Sequence, residues 1–463
     1  MFRQTFSLGG ALLLTCATPA LAAPCTVALS GDITCAAASD PLAVAADAVT
    51  VAVQTGARIQ SADGSVTPVS VTGDAVAIGN DGEIVQSDDD GYAITGTGAG
   101  LAVTNRGLIS SGDRGIAMLS GSGLTVTNAA GALISSVAQG IRAEENVTGV
   151  TVVNDGTITA SEGRAMQLRA FGVSITNTGT VMGGEEVIEG RGDFHMTNSG
   201  LIRLTDETVM DEDGVQFAGG TVTNSGTIRG TDDGIDMDEG TITNMADGTI
   251  LSLAPDAAEN SGIDIDEVYD DELTVRQNGL VRIVNAGLIE GPSAIGADDA
   301  ATNSVVVENA GILRGRGDLA IRLAPDQGDS AVTVTGDSRI IGDIRFGSGD
   351  DTVTAGADFS GLVAEGTIFG NSGTNTAAFD GFALSDLTGF ALMDDVATIS
   401  LMSGMRHVGG SFAGFDNWTL GGTRYTTADL LAAAPTSQVP LPAGLGLLAA
   451  ALGGLGLARR RRG

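Results

Sequence analysis

The sequence of 463 residues contains no lysine, so its 23 basic residues are all arginine. Against 57 acidic residues they leave a formal net charge of −34 at pH 7. A chain this acidic repels nucleic-acid phosphates, so nucleic acid is not expected as a partner, and cations are its natural counterparts. The two histidines, His195 and His407, offer little material for imidazole-based catalysis or metal binding.

Aromatic residues are also scarce, at 4% of the chain. Eight of the 13 phenylalanines lie between Phe346 and Phe415, together with Trp418. Carbohydrate-active enzymes use aromatic rings as stacking platforms for sugars, and most of this chain has few to offer. The composition therefore argues against catalysis on glycans outside this aromatic segment.

Residues 1–22 have the pattern of a secretory signal peptide, with Arg3, an apolar run and a small-residue ending at Ala20-Leu21-Ala22. A lipoprotein signal is the alternative, but Cys16 follows Leu14-Thr15 rather than a small residue. We therefore expect export through the Sec pathway.

The remaining cysteines are Cys25 and Cys35. In an oxidising compartment they are expected to form a disulfide that staples the N-terminal end, worth roughly 2 to 3 kcal/mol.

A short phrase built on Asn, a turn and a β-branched residue recurs along the chain, as in "VTNSGTIRG". Its asparagines are 20 to 26 residues apart, with one step of 41. A near-constant period in this range marks a stack of supersecondary units that share one core. The asparagines are Asn80, Asn105, Asn128, Asn154, Asn177, Asn198, Asn224, Asn244, Asn285 and Asn309.

Each repeat holds three short β-favouring pieces separated by Gly or Asn, which predicts an all-β fold, a parallel β-helix with three strands per turn. Residues such as Val103, Val126 and Val152 are expected to point inward and stack. The asparagines are expected at one corner of each coil, where their amides form an internal ladder. A right-handed coil follows from the usual crossover preference. Hairpin turns of a β-sandwich are the alternative, although they require no coil-sized period.

The predicted organisation is a signal peptide (1–22), β-helix repeats (23–345), terminal coils with a cap (346–430), a linker (431–438) and a C-terminal segment (439–463). The phrases "GDIRFGSGDDTVT" and "GSFAGFDNWTLGG" resemble autotransporter passenger domains, which are extracellular β-helices of Gram-negative bacteria. No translocator domain follows, so the secretion route of that family is not expected.

The C-terminal segment contains a 20-residue uncharged span, Val439 to Ala458, long enough to form a transmembrane helix. An arginine cluster at its end would stay in the cytoplasm. The segment resembles the VPLPA-type sorting signals handled by exosortases, through Val439, Pro440, Leu441, Pro442, Ala443, Arg459, Arg460, Arg461 and Arg462.

This resemblance implies an inner-membrane-anchored precursor that an exosortase-type enzyme cleaves near the motif. The body would then pass to the cell surface or extracellular matrix of a Gram-negative bacterium. A plain stop-transfer anchor is the alternative.

Acidic residues concentrate in three successive repeats, "DEDGVQF", "TDDGIDMDEG" and "SGIDIDEVYDDE". Aligning their glycines places Gln216, Asp236 and Asp264 in one column, pointing outward, and Asp238 beside Asp266. Carboxylates stacked about 4.8 Å apart repel by roughly 1 kcal/mol per pair in water. Calcium bound by these residues together with Asp232 and Asp233 would offset this repulsion. A solvated acidic face is the alternative.

Two further segments have candidate roles. Residues 347–353 resemble a single calcium-binding RTX nonapeptide, which makes Asp350 and Asp351 weaker candidate calcium ligands. The step of 41 residues indicates either a coil without its Asn or an insertion within 254–279, where a partner would bind.

Together these features predict a surface-sorted structural or adhesive protein, with calcium as its candidate ion and extracellular polysaccharide or other surface proteins as candidate partners. Catalysis is not expected. The alternative function is a lyase or hydrolase acting on acidic glycans. A lyase would use calcium held by Asp232, Asp233 and Asp236, with Arg203 or Arg229 as base.

Overall fold

The computed structural model describes residues 25–208, 210–255, 260–267 and 279–435. The predicted signal peptide (1–22) and sorting signal (439–463) lie outside these residues, as does much of 254–279. Within the described ranges, no helix combines the length and apolarity needed to cross a bilayer.

The fold is an all-β solenoid of about 13 turns, which confirms the predicted stack of coils. Each turn contributes strands to three faces, and each face is a parallel ladder running from coil to coil. The hand of the coil stays a prediction. The first face, which ends in the repeated asparagines, consists of Ile33–Cys35, Thr50–Val53, Ala77–Asn80, Ala102–Asn105, Ser122–Asn128, Thr148–Asn154, Phe171–Asn177, Phe194–Asn198, Val215–Asn224, Ile235–Asn244, Leu280–Asn285, Ser304–Asn309, Ala331–Val334, Thr352–Ala355, Thr376–Phe379 and Asn417–Leu420.

The second face follows the asparagine corner. It consists of Ala38–Ser39, Arg58–Ser61, Glu83–Gln86, Leu108–Ser111, Leu133–Ser136, Thr157–Ala160, Thr180–Gly183, Leu201–Leu204, Thr227–Gly230, Thr249–Ser252, Leu288–Gly291, and the first parts of Ile312–Arg322 and Arg339–Arg345.

The third face carries the acidic residues. It consists of Leu42–Val44, Val69–Val71, Tyr92–Gly96, Arg114–Met118, Gln139–Ala143, Met166–Leu168, Ile188–Gly190, the first parts of Val215–Asn224 and Ile235–Asn244, Ser261–Ile265, Ser293–Gly296, the last parts of Ile312–Arg322 and Arg339–Arg345, Gly361–Phe369 and Arg406–Ala413.

Alternation along each strand places one set of side chains in a continuous core. Val103, Val126, Val152 and Ile175 are aligned on successive coils, and all four are buried. β-branched residues suit this position because they pack well on a pleated, half-buried strand. The core therefore extends from coil to coil.

The predicted asparagine ladder is present in the structure. Each side-chain Nδ2 from Asn80 to Asn285 donates to Oδ1 of the asparagine one coil further on, at 2.7 to 2.9 Å. Asn309 ends the series by donating to Oγ of Ser338 at 2.6 Å. All these asparagines are buried, so the ladder satisfies polar groups that would otherwise be costly inside the core.

The step of 41 residues is one long coil rather than a coil that lacks its asparagine. Asn244 and Asn285 are direct ladder neighbours. Between them the described residues supply one strand to the second face, Thr249–Ser252, and one to the third, Ser261–Ile265. Because the two asparagines lie on adjacent coils, the insertion alternative is the right one.

The two described ends are closed by antiparallel pairs. Cys25–Val27 pairs with Ile33–Cys35, and a disulfide joins Cys25 to Cys35 with the sulfur atoms 2.03 Å apart. The C-terminal end is covered by antiparallel strands and by the helix α1; these are Leu387–Met393, Val396–Ser403, Arg406–Ala413, Asn417–Leu420, Thr423–Thr426 and α1 (Thr427–Ala433). Such closure protects the open strand edges of the solenoid from further pairing.

Candidate metal centre

The third face carries a column of polar side chains where the sequence alignment predicts one. Gln216, Asp236 and Asp264 lie in register on three successive coils. Asp236 and Asp264 point away from the apolar core, yet only 7% and 4% of their surfaces are exposed. Both carboxylates therefore point outward as predicted but lie in a cleft, lined also by Glu186, Asp211 and Asn260, and the alternative of a solvated acidic face does not describe them.

A second acidic column stands at the start of these strands. The backbone N–H of Asp233 donates to Oδ1 of Asp213 at 3.0 Å, and the N–H of Ser261 donates to Oδ1 of Asp233. Each carboxylate thus caps the corner of the next coil. Sequence analysis missed Asp213, although Asp213-Gly214 and Asp233-Gly234 are the same Asp-Gly pair one repeat apart.

The two columns open into a cleft of about 550 Å³. Its described lining consists only of carboxylate and amide side chains, without an arginine or an aromatic ring. These residues are Glu186, Asp211, Asp213, Gln216, Asp232, Asp233, Asp236, Asn260, Asp264, Asp266 and Asp298.

Two groups of carboxylates in the cleft could hold a metal ion. The first group is Asp213, Asp232 and Asp233, and the second group is Asp264, Asp266 and Asp298. Within each group, carboxylate oxygens lie within 4.8 Å of one another. The predicted ligands Asp232, Asp233, Asp264 and Asp266 thus fall into these groups.

The remaining predicted ligands differ in position. Asp236 lines the cleft beside Asp264 but belongs to neither group. Asp238 lies outside the cleft lining, and its backbone oxygen accepts a hydrogen bond from Nδ2 of Asn303 at 2.8 Å. Sequence analysis missed Asp298. The spacing could have revealed it, because Asp298 follows Ile295 by three residues, just as Asp266 follows Ile263 by three residues in the coil before.

Several buried oxygens in and beside the cleft have no hydrogen-bond partner, among them Oδ1 of Asp236, Oδ1 of Asp264 and Oγ of Ser261. The other oxygen of Asp236 accepts from Nε2 of Gln216 at 2.8 Å. An unpaired buried polar group costs about 1 to 3 kcal/mol.

Residue 296 packs closely against Asp264 and Ser261 because it is glycine. A Cβ at Gly296 would lie 2.7 Å from Oδ1 of Asp264 and even closer to Oγ of Ser261. A larger residue at this position would therefore displace both unpaired oxygens.

Burial makes charge expensive throughout the cleft. It is the main cause that raises the pKa of Asp236 from 3.8 to about 6. Burial, followed by the charges of Asp236 and Asp264, raises the pKa of Asp266 to about 9. The pKa values of Asp213, Asp233 and Asp264 are also raised well above the ordinary range, again chiefly by burial. A bound cation would stabilise the charged forms.

Three arginines near the cleft are held by other acids, whereas the charge of Arg322 acts on Asp264 in the cleft. Arg229 forms an ion pair with Glu207 at 2.7 Å, and Arg203 approaches the same carboxylate at 3.8 Å. Arg164 pairs with Glu186 at 2.6 Å. A guanidinium held by a carboxylate keeps its proton, so the pairing weighs against Arg203 or Arg229 as the base of a lyase.

The RTX-like segment has a different architecture. Oδ1 of Asp351 accepts the N–H of Ser330 at 2.9 Å, and Oδ1 of Asp350 accepts the N–H of Thr374 at 2.6 Å. Burial raises the pKa of Asp351 to about 7. Both carboxylates therefore brace corners between coils, and neither belongs to the two groups that could hold a metal.

No family model, curated protein or solved structure matches the chain. The β-solenoid fits a structural or surface role, and its acidic clusters could hold a metal ion.

Proposed function

We propose that this protein is exported, sorted to the cell surface or extracellular matrix, and serves there as a structural or adhesive component stabilised by calcium. The observation that carries the proposal is the unbroken stack itself. Core and asparagine ladder continue from coil to coil, and both described ends are closed. This architecture presents a long, regular surface and suits a scaffold or a binding surface for polysaccharide or other surface proteins.

The chemistry of the cleft supports a scaffold more than an enzyme. Its described lining offers carboxylates and amides as ligands for a cation. The same lining has no arginine or histidine that could act as a base and no aromatic ring on which a sugar could stack. Ca²⁺ takes six to eight oxygen ligands at about 2.3 to 2.6 Å and prefers carboxylates and carbonyls. Mg²⁺ needs a tighter octahedral set and retains its water, so a cleft rich in carboxylates favours Ca²⁺.

Sorting is proposed to depend on the C-terminal segment, which the exosortase-type enzyme would cleave near Val439 to Ala443. The test compares the native chain with the variant Pro440→Ala/Pro442→Ala in its own cells, using immunoblots of cell fractions and antibody labelling of intact cells. Pro325→Ala, in an exposed turn of the solenoid, is the matched control.

The native chain and the control are expected at the surface, shortened by the length of the tail. The double variant is expected to stay in the inner-membrane fraction at the size that retains the tail. Equal sorting of all three proteins, or retention of the native chain inside the cell, would overturn the sorting proposal.

A further inference from the structure

The two carboxylate groups stand at opposite ends of the same strands. In the first group, Asp233 is level with Ser261, at the start of the third-face strand in the long coil. In the second group, Asp266 follows the end of that strand, and its N–H still donates to the backbone of Met237 at 3.0 Å. Asp266 is five residues of extended chain, about 16 Å, from the level of Asp233, and Asp264 lies between them, about 10 Å from that level.

The two groups nevertheless form two separate sets of ligands. Ligands of a single Ca²⁺ lie about 2.3 to 2.6 Å from the metal, so they are within about 5 Å of one another. Among the described residues, the carboxylates that meet this spacing fall into two sets of three, each with oxygens within 4.8 Å of one another.

Asp236 belongs functionally with the second group. It is directly opposite Asp264 on the neighbouring coil, at the coil spacing of about 4.8 Å. Both residues are more than nine-tenths buried, and each presents an oxygen that has no hydrogen-bond partner. These two oxygens are independent evidence for a ligand, because hydrogen bonds inside the cleft leave them unsatisfied.

We propose that the cleft binds two calcium ions, one held by Asp213, Asp232 and Asp233, the other by Asp236, Asp264, Asp266 and Asp298. The number of carboxylates supports this count, because a single divalent ion would offset at most two of seven potential charges, and Arg322 acts on only one of these groups, Asp264. The inference rests on the calcium part of the proposed function. It does not depend on sorting.

The two ions would have different structural tasks. The first would join the connection before Val215–Asn224 to the connection before Ile235–Asn244. The second would join three successive coils, from Asp236 through the long coil to Asp298. The second ion would thus fasten the long coil to the coils on either side of it, while the first would fasten together the two coils that precede the long coil.

Equilibrium dialysis with radioactive calcium, performed on the purified full chain, counts the ions. The wild type is expected to bind two per chain, and Asp213→Asn and Asp266→Asn are each expected to lose a different one. The double variant should bind none. Asp298→Asn provides a second test of the second site, and Asp326→Asn, an exposed carboxylate outside the cleft, should keep both ions.

Asparagine preserves the shape of each side chain, and circular dichroism in excess calcium checks that every variant is folded. A wild type that binds a single ion, removed by either variant, would overturn the two-ion arrangement while leaving calcium binding in place. A wild type that binds none would overturn calcium as well. Neither result would affect sorting, which the tail variant tests separately.

Discussion

Replacing Asp236 with asparagine is expected to have opposite effects with and without calcium. The variant removes one buried charge but keeps the shape of the side chain and an oxygen that can accept from Gln216. In calcium, the loss of a charged ligand is expected to weaken binding roughly tenfold or more at the second site. In chelator, the same change is expected to stabilise the fold, because no cation then offsets the buried charge.

The magnitude follows from the pKa of Asp236, which burial raises from 3.8 to about 6. The folded chain therefore holds this proton more tightly than the unfolded chain does. Its contribution to stability is fully present below about pH 4 and is lost as the pH rises through about 6. The whole loss corresponds to roughly 3 kcal/mol of free energy of unfolding. Asparagine does not titrate, so the variant escapes this loss.

Urea unfolding in chelator, followed by circular dichroism at about pH 4 and about pH 8, measures the difference. Wild type and Asp236→Asn are expected to be similar at the lower pH, and the variant is expected to be more stable by up to about 3 kcal/mol at the higher pH. Asp326→Asn should follow the wild type at both. A variant less stable than wild type at the higher pH would refute the assignment of Asp236 as a buried, uncompensated charge.

Three further predictions test the asparagine ladder, the disulfide at the N-terminal end and the close packing of Gly296 in the cleft. Asn224→Ala removes the ladder bonds to Asn198 and Asn244 and is expected to cost roughly 2 to 4 kcal/mol in urea unfolding, whereas Met245→Ala at an exposed position should cost little. Cys25→Ser/Cys35→Ser is expected to lower stability by roughly 2 to 3 kcal/mol and to make unfolding insensitive to reducing agent; continued sensitivity would contradict this. Gly296→Ala places a Cβ 2.7 Å from the unpaired oxygen of Asp264 and must displace it, so dialysis should show one ion where the wild type binds two, and unchanged binding would show that this oxygen is not a ligand.

The architecture could be predicted from sequence because its cause is local and repeated. A fixed spacing of asparagines and β-branched residues determines which side chains stack. The pairing of Asn128 with Asn105 on one side and with Asn154 on the other follows from it. The step of 41 residues could not be resolved in the same way. A sequence interval gives the length of chain between two corners but not whether the chain goes round the core once or twice.

The candidate site was only partly predictable for a related reason. Aligned glycines place Asp236 beside Asp264, since strand register fixes that contact. Their burial depends on how the irregular connections of neighbouring coils fold over the face, and no repeat governs those segments. Asp213 and Asp298 were missed because they stand just outside the strands, where strand register does not fix their positions.

The asparagine ladder also has a direction. Every described link runs from Nδ2 of one residue to Oδ1 of the residue that follows it in sequence, and the last donor, on Asn309, points at Ser338. Amide dipoles aligned head to tail polarise one another and strengthen the series cooperatively. The solenoid therefore contains an electric axis along its length, negative toward Asn80 and positive toward Ser338. Its two ends differ electrostatically even where the coils look alike, so an oriented partner could distinguish them.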